Sequence, residues 1–122
     1  MSKPKVLVVD DDKYACDVIK LMLEKKGCDA IVASDGAVAA EKAESEKPDL
    51  VLLDIMLQDM SGYEVLNIIK TNPNTKDIPV IMVTGKDDYD SMAKAKGLAA
   101  DDYLTKPFLS DELLQKISKY FK

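Results

Sequence analysis

The chain of 122 residues contains no histidine and no tryptophan, and it has only two cysteines. Without histidine, any acid–base chemistry near neutral pH must fall to other side chains. Cys16 and Cys28 have neither a CxxC spacing nor a histidine to assist them, which disfavours metal ligation and redox chemistry. We therefore expect both to be buried thiols in a reducing cytoplasm.

Long apolar runs are also missing, and none is long enough to cross a bilayer. The N-terminal residues 1–4 do not resemble a signal peptide, so we predict a cytoplasmic protein without membrane association. The net charge of −5 disfavours direct binding to nucleic acid. No linker, repeat or low-complexity segment interrupts the chain, and its length and 47% hydrophobic content suit one domain over residues 1–122.

What the chain does contain is five apolar runs, each followed by a segment with helical periodicity. The predicted strands cover residues 5–9, 29–33, 49–53, 79–83 and 102–105. The predicted helices cover residues 13–26, 36–46, 61–71 and 88–96, and a last helix carries the stripe Leu113, Leu114, Ile117 and Phe121. This alternation predicts an α/β fold with a parallel sheet, in which the weaker second strand lies near an edge.

Three acids and a lysine stand at the ends of predicted strands. Asp10 and Asp11 follow the first strand, Asp54 the third, and Lys106 the fifth. Parallel sheets hold their sites at the carboxyl ends of the strands, so we expect these residues to meet in one pocket. Three carboxylates repel each other and favour a hard divalent cation, Mg²⁺ or alternatively Mn²⁺. When the cation is bound, its two positive charges and that of Lys106 formally balance the three carboxylates.

The stretches VLVVDDD, PDLVLLDIML with SGYEVL after it, PVIMVTG and ADDYLTKPF come in the order and spacing of a known family. Over its full length the chain resembles the receiver domains of response regulators, the CheY-like switches of two-component signalling. The resemblance implies a flavodoxin-like (βα)₅ fold, doubly wound, with five parallel strands in the order 2-1-3-4-5 and helices on both faces.

The family resemblance assigns roles to the acids. It implies that a sensor histidine kinase or a histidine phosphotransfer protein donates a phosphoryl group to Asp54, as one step of a phosphorelay. The domain would assist its own phosphorylation and dephosphorylation and would not otherwise be an enzyme. Asp11 is expected to bind the metal directly, Asp10 directly or through water, and the backbone carbonyl of Met56 to complete the ligands with Asp54. Asp12, where the first helix begins, is expected to be its N-cap.

The remaining roles concern the phosphoryl group and the signal. Lys106 is expected to neutralise phosphoryl oxygens, and the resemblance suggests a cis Lys106–Pro107 bond. The Thr84 hydroxyl should hydrogen-bond a phosphoryl oxygen. As Thr84 moves towards the phosphoryl group, the Tyr103 side chain should change its rotamer. The alternative for Tyr103 is a strand tyrosine with a packed ring and a wet hydroxyl. The signal would leave through the face formed by the fourth helix, the fifth strand and the last helix.

Some features leave alternatives open. Gln58 and Asp59 replace the usual Pro-Gly after the nucleophile, which adds an acid near the expected site. Asp10-Asp11-Asp12 also suggests a haloacid-dehalogenase-type phosphohydrolase, although Tyr14 does not match that motif. A third candidate is a degenerate receiver that serves as a constitutive interaction module. We predict a monomer, with phosphorylation-dependent dimerisation as the alternative, and a downstream protein partner that the sequence does not identify.

Overall fold

The computed structural model describes residues 3–85 and 100–121, with the side chain of Thr84 left out. Its five strands form one parallel sheet in the order β2-β1-β3-β4-β5, which confirms the predicted fold. The strands are β1 (Lys5–Val9), β2 (Asp29–Ala33), β3 (Leu50–Asp54), β4 (Val80–Gly85) and β5 (Asp102–Lys106). The described helices are α1 (Lys13–Lys25), α2 (Gly36–Glu46), α3 (Gly62–Thr71) and a C-terminal helix (Ser110–Ser118). The helix predicted over residues 88–96 lies outside the described residues.

Helices pack on both faces of the sheet because the central strands β1 and β3 are apolar at every position except their end residues, Lys5 and Asp54. Val6 and Val8 face α1 and the C-terminal helix, whereas Leu7 and Val9 face α2 and α3. Each fully buried aliphatic side chain contributes about 1.5–3 kcal/mol, so packing of the helices on both faces stabilises the sheet. Within the described residues, no helix combines the length and the apolar character needed to cross a membrane.

The helices begin at side chains that accept hydrogen bonds from their first turns. Asp12, Asp35 and Ser61 are the N-caps of α1, α2 and α3. In α1 the buried face contains Cys16, whereas its neighbour Ala15 is half-buried. The prediction that both cysteines are buried free thiols is confirmed. Burial raises the pKa of the Cys16 thiol to about 11, which leaves it unreactive near neutral pH.

Gly62, the first residue of α3, fixes how closely that helix approaches the end of β3. Its amide donates to the carbonyl oxygen of Ile55 at 2.7 Å. A Cβ atom at Gly62 would overlap the carbonyl oxygen of Asp54. Only glycine therefore allows α3 to begin directly beside the last residue of β3.

Candidate functional site: an acidic pocket at the carboxyl ends of β1, β3 and β5

The structure brings together the three predicted acids. Asp10 and Asp11 follow β1, and Asp54 is the last residue of β3, the strand that pairs with β1. One carboxylate oxygen of each residue lies within 4.8 Å of the other two. Asp10 is only 3% exposed and Asp54 only 8%. The strand pairing, rather than any local motif, creates this cluster.

Lys106 joins the acids from the end of β5, two strand positions away from Asp54. Its Nζ donates to Asp10 Oδ2 at 2.9 Å and lies 3.6 Å from Asp54 Oδ2. The other oxygen of Asp10 accepts the backbone N–H of Asp12 at 2.9 Å. The peptide bond between Lys106 and Pro107 is cis. The long lysine stem thus carries a positive charge to the carboxylates of Asp10 and Asp54.

The electrostatics of the pocket reflect burial and an excess of negative charge. Burial raises the pKa of Asp54 to about 6; Lys106 opposes this shift and Asp10 adds to it. Burial alone would lower the pKa of Lys106, but its hydrogen bond to Asp10 and the charge of Asp54 outweigh burial and raise it. The pocket holds three carboxylates, all of them hard oxygen donors, against one ammonium, so it suits a divalent cation such as Mg²⁺.

Met56 lies beside the pocket in the loop between β3 and α3. Its backbone N–H donates to Asp54 Oδ1 at 3.4 Å, and the residue pairs with Ser61 in an isolated antiparallel bridge. The Met56 side chain is 65% exposed and does not enter the core. The role of its carbonyl as a metal ligand stays a prediction.

The two predicted switch residues are both in strands beside the pocket. Thr84 pairs with Thr105 between β4 and β5, but its side chain lies outside the described part, so the role of its hydroxyl stays a prediction. Tyr103 is the second residue of β5, and its ring packs against the α2–α3 side of the core. Its hydroxyl is buried without a hydrogen-bond partner in residues 3–85 and 100–121. Burial raises its pKa. In this structure the Tyr103 hydroxyl is therefore not the wet group of a simple amphipathic strand.

Asp59 does not add its charge to the pocket, contrary to what its sequence position suggested. Its two carboxylate oxygens accept the backbone N–H groups of Gly36 and Ala37 at 2.8 and 3.0 Å. The acid is therefore bound to the N-terminus of α2. Sequence reasoning missed this contact because the partners stand 22 and 23 residues apart and share no local motif.

An apolar groove of about 430 Å³ adjoins the pocket. It runs between α1 and the segment after β5, and Lys106 lies at its edge. Its lining includes Tyr14, Val18, Met22, Pro107 and Phe108. Tyr14 is 77% exposed, so this apolar surface is open to solvent.

Known proteins share both the sequence and the fold. Protein PilG from Pseudomonas aeruginosa is 40% identical over 116 residues, which cover 95% of this chain and 86% of PilG. The alkaline phosphatase synthesis transcriptional regulatory protein PhoP from Bacillus subtilis is 41% identical over 113 residues, 93% of this chain but only 46% of PhoP. This chain therefore corresponds to about half of PhoP.

A solved structure is also similar to this chain in sequence and fold. The receiver domain of sensor histidine kinase PA1611 from Pseudomonas aeruginosa is 27% identical, with a TM-score of 0.89 over 98% of each chain. Its crystal structure holds a magnesium ion coordinated in the active site cleft. The family model described as the response regulator receiver domain matches residues 6–118. A sheet of this order, a pocket of this composition and a match over nearly the whole chain lead to one conclusion: the chain belongs to the response regulator receiver domain family.

Proposed function

We propose that this chain is a phosphoacceptor switch in which Asp54 receives a phosphoryl group from a phosphohistidine. The donor would be a sensor histidine kinase or a histidine phosphotransfer protein. The observation that carries the proposal is the convergence of Asp10, Asp11, Asp54 and Lys106 at one end of the sheet. The family resemblance assigned a role in metal binding or phosphoryl transfer to each of the four.

The chemistry is an in-line displacement at phosphorus. A carboxylate oxygen of Asp54 forms the new P–O bond while the P–N bond to the donor imidazole breaks. The bonding electron pair stays on the imidazole nitrogen, which takes a proton from water. With a pKa of about 6, the Asp54 carboxyl is mainly ionised at neutral pH and therefore nucleophilic. Lys106, already 3.6 Å from Asp54, is close enough to meet the oxygens of the transferred group.

A divalent cation fits the carboxylate cluster. Asp10, Asp11 and Asp54, with the backbone carbonyl of Met56, would hold Mg²⁺, and waters would complete its coordination. When bound, Mg²⁺ screens the carboxylates and neutralises phosphoryl oxygens. The magnesium ion in the cleft of the PA1611 receiver domain supports this assignment.

The phosphodonor must bring its histidine to Asp54, so the protein that carries it must cover the rim of the pocket. The apolar groove between α1 and Phe108 begins at that rim and offers exposed apolar surface. We therefore place the donor's docking surface along this groove. The output surface lies elsewhere, around Tyr103 and the C-terminal helix.

Incubation with phosphoramidate and Mg²⁺ tests the acceptor role. The wild-type protein should take up one phosphoryl group per chain, and Asp54→Asn should take up none. Asp11→Ala should need much more Mg²⁺ for the same labelling, whereas Asp17→Asn, an exposed acid of α1, should label like wild type. Label retained at Asp10 or Asp11 would contradict the assignment. Repeated turnover would favour the phosphohydrolase, and an unlabelled wild-type protein would favour the degenerate receiver.

The switch predicts a change around Tyr103 when the pocket holds a phosphoryl group. A phosphoryl group would offer the Thr84 hydroxyl a new hydrogen-bond acceptor, so phosphorylation can shift a conformational equilibrium. NMR spectra with beryllofluoride, a phosphoryl mimic, should show changes at Tyr103 and in the C-terminal helix. Thr84→Ala should keep the labelling of Asp54 and weaken those changes. Shifts confined to the pocket would rule out the switch.

A further inference from the structure

Asp59 forms a bridge between the loop after β3 and the first turn of α2. Its carboxylate accepts the N–H groups of Gly36 and Ala37, the first two residues of that helix. The helix's own cap, Asp35, accepts the N–H of Val38. Asp59 thus satisfies donors at the helix start that the local cap does not use. These hydrogen bonds also lower the pKa of Asp59, and the one from Gly36 contributes most. Asp59 is therefore ionised at neutral pH and interacts favourably with the positive end of the helix dipole.

Met60, the next residue of the loop, makes an apolar contact at the same place. A Cβ atom on Gly36 would overlap Met60 Cγ and would lie 2.8 Å from Val65 Cγ2. Gly36 is buried, and its lack of a side chain makes room for Met60. A polar and an apolar contact from adjacent residues therefore hold the loop against α2.

The same loop carries Met56. Its ends are fixed by the strand residue Asp54 on one side and by the bond from Gly62 to Ile55 on the other. Between these ends, Met56 pairs with Ser61 in the isolated bridge, and its N–H makes a long contact of 3.4 Å with Asp54. Asp59 anchors the middle of the loop with two shorter hydrogen bonds to a different element.

From these contacts we infer that Asp59 is a positioning residue for the metal pocket: by tying its loop to α2, it holds the Met56 backbone beside Asp54. It acts through Met56 and is not itself a ligand, because both of its oxygens are used at the helix start. This inference rests on the proposed function, in which the carbonyl of Met56 helps to hold Mg²⁺.

The test compares Asp59→Ala with Asp35→Ala. Both variants remove a carboxylate from the start of α2, but only Asp59→Ala detaches the loop. Asp59→Asn keeps one acceptor oxygen and should lie between wild type and Asp59→Ala. Hydrogen exchange in the metal-free protein reports directly on the bridge, since the amides of Gly36 and Ala37 should exchange faster in Asp59→Ala. Calorimetric titration with Mg²⁺ should give a Kd about tenfold weaker for Asp59→Ala, a loss typical of residues that orient metal ligands.

Asp35→Ala should bind Mg²⁺ like wild type even if it loses as much stability. Equal Mg²⁺ affinity in Asp59→Ala and wild type would overturn the inference. So would an equal loss in Asp35→Ala, because it would assign the effect to a weakened α2. If Asp59→Ala does not fold, the Mg²⁺ affinity of Asp59→Asn is compared with those of wild type and Asp35→Ala instead. In these outcomes the wild-type protein still binds Mg²⁺ and takes label; a wild-type protein that does neither would refute the proposed function together with the inference.

Discussion

The Asp54 carboxylate is largely buried, and its burial has a measurable effect on the stability of the fold. Its pKa rises from an ordinary 3.8 to about 6, mainly because burial disfavours the ionised form. The ionised carboxylate is therefore less stable in the folded than in the unfolded chain. The resulting loss of folding free energy is absent below about pH 4 and complete above about pH 6.

Asp54→Asn should remove that loss in the metal-free protein. At pH 7.5 we expect its free energy of unfolding to rise by about 1–3 kcal/mol relative to wild type. The gain should shrink towards pH 4.5, where the wild-type carboxyl is mostly protonated. Urea denaturation at both values measures this, with Asp17→Asn as an exposed control. A gain that does not depend on pH, or a loss at pH 7.5, would contradict the argument.

Single residues were predictable from the sequence where their position followed from a strand end. Asp10, Asp11, Asp54 and Lys106 each stand at the end of a predicted strand, so their meeting required only the strand order. Asp59 was not predictable, because its partners belong to a helix that is distant in sequence.

Among the secondary-structure elements, two helices end in left-handed backbone but with different residues. After α1 the chain turns at Gly27, with φ of 81°, whereas α2 ends at Lys47, with φ of 47°. Glycine adopts this conformation freely, but lysine does so at a cost from its Cβ atom. Pro48 follows Lys47, and the chain then enters β3.

Substitutions at these two ends should have opposite signs. Lys47→Gly should raise the free energy of unfolding by about 0.5–1 kcal/mol because it removes the strain. Gly27→Ala should lower it by about 1 kcal/mol, since a Cβ there meets no atom within 4 Å and only the backbone conformation is penalised. Thermal denaturation of both variants gives the comparison. Changes of the same sign would show that backbone strain does not govern these ends.

The five strands and the first three helices were predicted from sequence to within one or two residues, since apolar runs and caps mark their bounds. The last helix is shorter than predicted and ends before Phe121. The buried face of α1 was less predictable. Ala15 and Cys16 are both small and apolar enough for a core, and packing against the sheet, rather than periodicity, selects Cys16. The edge position of β2 was also anticipated. There, Lys42 Nζ donates to the Val32 carbonyl at 2.9 Å and covers part of that edge.

In the molecule as a whole, the two ends of the sheet carry different polar networks. The carboxyl end holds the pocket, and the opposite end holds Lys70, whose side chain is 14% exposed. Lys70 Nζ donates to Asp101 Oδ2 at 2.9 Å and to the carbonyl of Ile78 at 2.8 Å. The same Asp101 oxygen accepts the N–H of Val80. The network ties the end of α3 to the entrances of β4 and β5.

Lys70→Ala should therefore lower the free energy of unfolding by about 2 kcal/mol, since it leaves shielded acceptors without their donor. Phosphorylation of Asp54 should remain intact, because the change lies at the far end of the sheet. Lys5→Ala is the matched control: Lys5 forms an exposed pair with Glu46 at 3.6 Å and should contribute less than about 1 kcal/mol. Lost labelling in a folded Lys70→Ala variant would link the two ends and contradict their separation.

The bond between Lys106 and Asp10 has a consequence for any cation that the pocket takes up. The ammonium already acts as an internal counter-ion, so the measured affinity for an ion is the difference between two ways of neutralising the same carboxylates. A lysine at this position therefore lowers the affinity of the pocket for a metal ion. Under the proposed function, the ammonium that a cation frees from Asp10 would then be available to the oxygens of the phosphoryl group. The metal-free pocket and the pocket with a cation therefore differ in which positive charge neutralises Asp10: Lys106 in the first and the cation in the second.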